Sequence, residues 1–179
     1  MTLLTNIAAY CVTILFYLGY LLPGSIISFI VGVMDGLDGK LARAKDMTSN
    51  LGKLEHAFDL LYEFSWLVAF ALYMSRATGS PLPLLFGLLS VTFISFYRYC
   101  YDTFGKIMET SFDTYAPFER RFRRVAGRRN LYNIHILVGI LLGVPEYAMY
   151  SITIHAAITA IVYAWRTACH LNTLDKGKT

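Results

Sequence analysis

Apolar positions along this chain come in long unbroken stretches, without the alternation of a half-buried strand or the single stripe of a surface helix. Polar residues, glycine and proline cut these stretches into six segments, at about 2–21, 23–43, 51–75, 82–104, 131–147 and 149–170. Each is close to the ~20 apolar residues a helix needs to cross a bilayer. The breaks have a local chemistry: Pro23 and Gly24 are expected to close the first hairpin, and 46–50 forms a polar loop. Pro81 and Pro83 separate the third and fourth segments, and Gly143 and Pro145 the last two. The remaining stretch, 105–130, is too polar to span and is expected to lie along the surface. The first segment lacks the charged start and small-residue cleavage site of a signal peptide, so it reads as a helix of the fold.

Composition narrows the class. Of the 179 residues, 56% are apolar and only 16% charged, against about a quarter charged in soluble domains. With a mean hydropathy of +0.48, this excludes an ordinary soluble enzyme, a disordered chain and a coiled coil. The expected architecture is all-α: one polytopic domain over 1–179 with six transmembrane helices. Cys11, Cys100 and Cys169 have no pairing or CxxC spacing, so no disulfide framework or cysteine metal site follows, and they are expected to be small buried hydrophobes.

Charge adds an orientation, because Lys and Arg accumulate in cytoplasmic loops. Six crossings put the 44–50 loop, the 105–130 segment and the C-terminus on one side, with 15 of the 16 Lys and Arg residues and only Arg76 opposite. Both termini are therefore expected in the cytoplasm. The net +4 then speaks of topology and anionic headgroups, and nucleic acid is not an expected partner despite the run from Arg120 to Arg129.

Carboxylates near a span are costly and usually line a cavity or bind something. Asp35 and Asp38 lie at the end of the second segment, about 60° apart on a helix, with Ala42 within about 20° of Asp35. Gly36 and Gly39 leave room for a ligand to approach the backbone, and Arg43 supplies a charge suited to phosphate. On the third segment Glu55 and Asp59 share a face at i, i+4, and Glu63 extends the row one turn deeper. Carboxylates from two helices, with no cysteine and no HxxxH pair, favour a hard divalent cation, Mg²⁺ or Mn²⁺, over zinc. Such ions commonly hold a diphosphate.

At these residues the chain resembles the CDP-alcohol phosphotransferases (CDP-alcohol phosphatidyltransferases). Their motif DxxDGxxAR, followed after eight residues by GxxxDxxxD, is matched by Asp35, Asp38, Gly39, Ala42, Arg43 and Gly52. The second half departs from it: where the family has aspartates, this chain has His56 and Leu60, and the i, i+4 carboxylates, Glu55 and Asp59, stand one residue earlier. The resemblance implies a cytoplasmic-side active-site cavity, a homodimer, and Mg²⁺- or Mn²⁺-dependent transfer of a phosphoalcohol group from a CDP-alcohol donor to an acceptor alcohol, releasing CMP, in phospholipid biosynthesis. Carried over, it makes Asp35, Asp38, Glu55 and Asp59 metal ligands and Asp59 the base that takes the acceptor's proton. Asp38, Gly39, Ala42, Arg43 and Gly52 become the CDP-binding positions. His56 and Glu63 are additional candidates, and Arg98, Arg128 and Arg129 are candidates for an acceptor phosphate, or else topology signals.

Two other classes fit less of the pattern: a non-catalytic membrane module of the same fold, and a carboxylate-based ion or proton transporter. His135, His155 and His170 read as structural. Tyr62, Phe64, Trp66, Tyr97, Tyr99, Tyr101 and Trp165 read as lipid-facing or interfacial anchors. Family members usually carry an amphipathic surface helix before the first span, and this sequence begins without one. The donor is expected to be lipid-linked, with glycerol phosphate, inositol phosphate or serine among the possible acceptors.

Overall fold

A computed structural model describes the backbone of residues 2–44 and 50–177, and side chains over 7–34 and 57–177. Every regular element among the described residues is a helix: α1 (Thr2–Leu18), α2 (Leu21–Ala44), α3 (Asn50–Thr78), α4 (Leu82–Met108), α5 (Phe112–Tyr115), α6 (Pro117–Phe122), α7 (Arg129–Leu141) and α8 (Glu146–Lys176). Among the described residues three stretches are long and apolar enough to cross a membrane: Ala57–Thr78, Leu82–Met108 and Glu146–Lys176. Two shorter apolar helical stretches, Ile7–Leu18 and Leu21–Met34, accompany them.

The first hairpin turns earlier than expected. Gly19, at φ +89°, makes the turn, and a Cβ there would stand 2.3 Å from the Tyr73 ring. Pro23 and Gly24 instead fall in the first turn of α2, where a missing N–H removes no intrahelical bond. The fifth segment is also shorter than expected. Helix α7 has 13 residues and ends before Gly143, at φ +72°, and Pro145, so residues 146 and 147 belong to α8.

Helix α1 packs on α2 and α3 through the stripe Ala9, Val12 and Phe16, each buried. Phe16 meets Trp66 and Phe70 of α3, with ring centroids 5.8 and 5.5 Å apart. Cys11 lies off that stripe and is exposed, while Cys100 and Cys169 are half-buried, so the expected burial of the cysteines does not hold. Helices α4 and α8 form the other main pair, where Ser90 and Thr153 share a buried hydrogen bond of 2.7 Å. Helix α7 bridges α2 and α8: Asn133 Nδ2 donates to the Ser25 carbonyl (2.8 Å), and Asn133 Oδ1 accepts from Ser25 Oγ (3.1 Å). Such bonds satisfy polar groups where water is absent.

Three of the aromatic residues expected to face lipid face inward. Tyr62, Trp66 and Tyr97 are buried, whereas Tyr99 and Trp165 are exposed. Tyr97 Oη donates to the Gly127 carbonyl (3.0 Å), tying α4 to the segment before α7. The 105–130 stretch also does more than lie on a surface. Phe112, Asp113, Glu119 and Ala126 are buried, and Phe112 stacks on Tyr163 of α8 with centroids 4.6 Å apart. His135 and His155 hydrogen-bond each other across α7 and α8 (3.0 Å), in keeping with a structural role.

Candidate active site

The motif residues Asp35, Asp38, Gly39, Ala42 and Arg43 fall on the last turns of α2, and Gly52, Glu55 and His56 on the first turns of α3. Their side chains lie outside the described residues. Asp59, Glu63, Arg98, Arg128 and Arg129 lie within them, and all five line one cavity of about 460 Å³.

Among the described residues its walls come from five parts of the chain. Helix α3 contributes Asp59 and Glu63, α4 contributes Arg98, and the start of α7 contributes Arg129, Asn130 and Leu131. Arg123, Arg124 and Arg128 arrive from the segment between α6 and α7. Helix α2 passes close at Gly32, where a Cβ would stand 1.8 Å from Asn130 Oδ1. Only a residue without a side chain lets α2 approach α7 this closely at the cavity wall.

The two described carboxylates differ. Glu63 is buried, 1% exposed, and accepts a hydrogen bond from Arg98 Nη2. Asp59, one turn toward the start of α3, is about a third exposed in its side chain, and its Oδ1 lies 3.5 Å from Arg129 Nη1. The Arg129 guanidinium also stands over the Tyr62 ring, 5.4 Å from its centroid, an arrangement that attracts a cation to an aromatic face. So Glu63 anchors an arginine, while Asp59 stays accessible at the mouth of the same row.

Several polar groups at this cavity have no partner among the described residues. Glu63 Oε1, Arg98 Nε and Asn130 Oδ1 are buried without a hydrogen bond, a cost of about 1–3 kcal/mol each that a ligand can remove. The first N–H groups of α7 belong to Arg129, Asn130 and Leu131 and have no intrahelical acceptor by construction. Among the described residues no side chain caps this end, and Arg128 occupies the N-cap without a side-chain cap bond. Unsatisfied N–H groups and the positive end of the helix dipole make such a terminus a site for anions. Among the described residues five arginines against two carboxylates give the lining the same preference.

The implied metal meets a compatible donor set. Among the described residues no group of three or more His, Cys, Asp or Glu side chains gathers to hold an ion, and Asp59 is the one expected ligand that they include. Its oxygen-only donor, partly open to the cavity, suits a hard divalent cation, as do Asp35, Asp38 and Glu55 by type.

Arg123, Arg124 and Asn130 line the cavity without having been expected there. The charge run around Arg123 and Arg124 was visible, but basic residues at an interface carry no mark of which turn inward. Asn130 could have been found from the helix start it occupies, since an uncapped N-terminus beside arginines is an anion site in its own right.

A family model described as CDP-alcohol phosphatidyltransferase matches residues 1–161 of the chain. No curated protein matches it.

Proposed function

The chain belongs to the CDP-alcohol phosphatidyltransferase family, a transferase family, and its apolar helices make it an integral membrane protein; from this premise we propose that it transfers a phosphoalcohol group from a lipid-linked CDP-alcohol to a phosphorylated alcohol, releasing CMP, in phospholipid biosynthesis. The observation that carries the choice of acceptor is the cavity in which Asp59 faces a wall of arginines and the start of α7, which no described side chain caps. Its volume suits a small phosphorylated alcohol, being within the range of about 300–1,000 Å³ common to ligand sites.

In this reading the acceptor's phosphate rests against Arg98, Arg128 and Arg129, with Arg123 and Arg124 beside them. Asp59 accepts the proton of the acceptor's hydroxyl. The resulting oxygen attacks the phosphorus distal to cytidine, the bond from that phosphorus to the bridging oxygen breaks, and CMP leaves. Asp38, Gly39, Ala42, Arg43 and Gly52 hold the CDP portion. Mg²⁺ or Mn²⁺, which Asp35, Asp38, Glu55 and Asp59 would hold, supplies neutralisation of the diphosphate charge. The bundle comprises six crossings, α1, α2, α3, α4, α7 and α8, with the site and both termini on the cytoplasmic side, as the bias of basic residues supports. The functional unit is a homodimer.

The test is CMP release by the purified protein in lipid, with Mg²⁺ or Mn²⁺, across a panel of CDP-alcohol donors. Each acceptor is offered with and without its phosphate. Metal-dependent release confined to phosphorylated acceptors is expected. Release with unphosphorylated acceptors alone removes the arginine wall from the mechanism, and silence across the panel with CDP still bound favours a non-catalytic module of the same fold.

A further inference from the structure

Asp113 stands behind the arginine wall. It sits on α5 and is 7% exposed, a setting where an unpaired carboxylate is costly. Tyr163 Oη donates to its Oδ1 (3.0 Å), and Arg128 Nη2 donates to its Oδ2 (3.2 Å). Arg123 Nε makes an ion pair with the same Oδ2, also at 3.2 Å. The ring of Tyr163 is itself stacked on Phe112, so α8 fixes the carboxylate from the side away from the cavity. One carboxylate is thereby shared by two guanidiniums that both line the cavity.

We infer that Asp113 is a positioning residue for acceptor selection, holding Arg123 and Arg128 as a preset pair for a phosphomonoester. This rests on the phosphorylated acceptor proposed above. Each guanidinium has five N–H donors and spends one side of its fork on Asp113, which leaves the rest for a ligand. Both side chains are otherwise nearly half exposed, and a solvated arginine samples many rotamers. A shared buried anchor removes that freedom before the ligand arrives, which lowers the cost of binding. The charges agree with this role. Among the described residues the lining has a surplus of three positive charges, Asp113 reduces it to two, and a phosphate monoester carries about −1.5 to −2 at neutral pH.

Loss of Asp113 has two opposing effects. It adds net positive charge near the anion, but between half-exposed groups that longer-range gain is screened. It also frees the guanidiniums, and this acts at hydrogen-bond contact, where charge-assisted bonds depend on geometry. The second effect dominates.

The experiment titrates inorganic phosphate into the full-length protein in lipid nanodiscs with CMP held saturating, so that the nucleotide site does not report, and measures CMP affinity separately. Asp113→Asn keeps an acceptor for Tyr163 but loses the charge. It is expected to weaken phosphate binding about tenfold while CMP affinity stays within about twofold, and Asp113→Glu is expected to recover most of the loss. Wild-type protein that binds no phosphate refutes the anion pocket and this inference with it. Phosphate bound equally or more tightly by Asp113→Asn refutes the role of Asp113 alone, as does a parallel loss of CMP binding, which marks general damage. Should Asp113→Asn not yield monodisperse protein, Tyr163→Phe decides by the same readings, with an expected weakening of about threefold in phosphate binding only.

Discussion

Arg98 on α4 donates to the buried carboxylate of Glu63 on α3, and each partner keeps one polar atom, Nε and Oε1, unmatched among the described residues. The pair joins two helices while facing the cavity with groups still able to bind.

Removing one partner of a buried pair leaves the other uncompensated. Glu63→Ala is expected to destabilise the protein by about 3 kcal/mol, at the low end for such pairs because Arg98 is about a quarter exposed. Unfolding of the protein in detergent measures this. The double variant with Arg98→Met should lose less than the two single losses added together. A strictly additive result would mean that the two side chains do not stabilise one another.

Asp59 is the described carboxylate with its side chain about a third exposed at the cavity, and the proposed mechanism gives it the proton transfer. Asp59→Asn is expected to lower turnover by about 10²–10⁴, the usual contribution of a general base, with CDP-alcohol binding retained. His56→Ala should leave most of the turnover. If instead Asp59→Asn is active and His56→Ala is dead, the register of α3 at the site is the family's own, with the histidine in a working position.

Gly32 sets how closely α2 approaches α7. Gly32→Ala brings a methyl group to 1.8 Å from Asn130 Oδ1 and 2.7 Å from its Cγ, so the amide must rotate away. The expected cost is about 1–3 kcal/mol in stability. Asn130→Ala in the same chain should restore most of it, since it removes the obstructing group. Thermal unfolding of the two single variants and the double decides this, and a double variant no more stable than Gly32→Ala sinks the explanation.

Glu119 gives the pH dependence. Burial raises its pKa, but hydrogen bonds from Arg166 and His170 outweigh burial and hold the carboxyl below its ordinary value of 4.5. A folded value below the unfolded one means that the stabilisation is complete above about 4.5 and is lost as pH falls through the lowered folded value. Melting temperatures of wild-type and Glu119→Gln proteins, measured from pH 6 down to about pH 3, should converge at the acid end. A constant gap across that range would show that the charge of Glu119 contributes nothing.

The long apolar stretches are legible in the sequence because bilayer thickness dictates their length, and the family motif is legible because its residues are close together in the chain. Which way side chains face is not. Helix α3 is apolar on nearly every side, since lipid and the bundle interior make the same demand, so nothing in its periodicity separates buried Trp66 from a lipid anchor. The arginine run between 120 and 129 has the same ambiguity: Arg123 and Arg128 turn inward because Asp113 is buried behind them, a relation between residues that spacing does not reveal. Arg76, the one basic residue on the far side by the charge count, donates to the Tyr17 carbonyl (2.7 Å) and stands over the Tyr17 ring. It caps the end of α1, a local task that explains its departure from the charge bias.

The shortness of α7 ties the cavity to its surroundings. Thirteen residues reach about 20 Å, against a hydrocarbon core of about 30 Å, and the helix ends at Leu141 and Leu142, each 71% exposed. In the proposed six-crossing arrangement these leucines stand among acyl chains, and the bilayer beside them must thin or the helix must shift along its axis. Since the opposite end of α7 forms part of the cavity wall, that arrangement makes the thickness of the host membrane a parameter of the proposed anion site, which lipids of different chain length would tune without touching any of its residues.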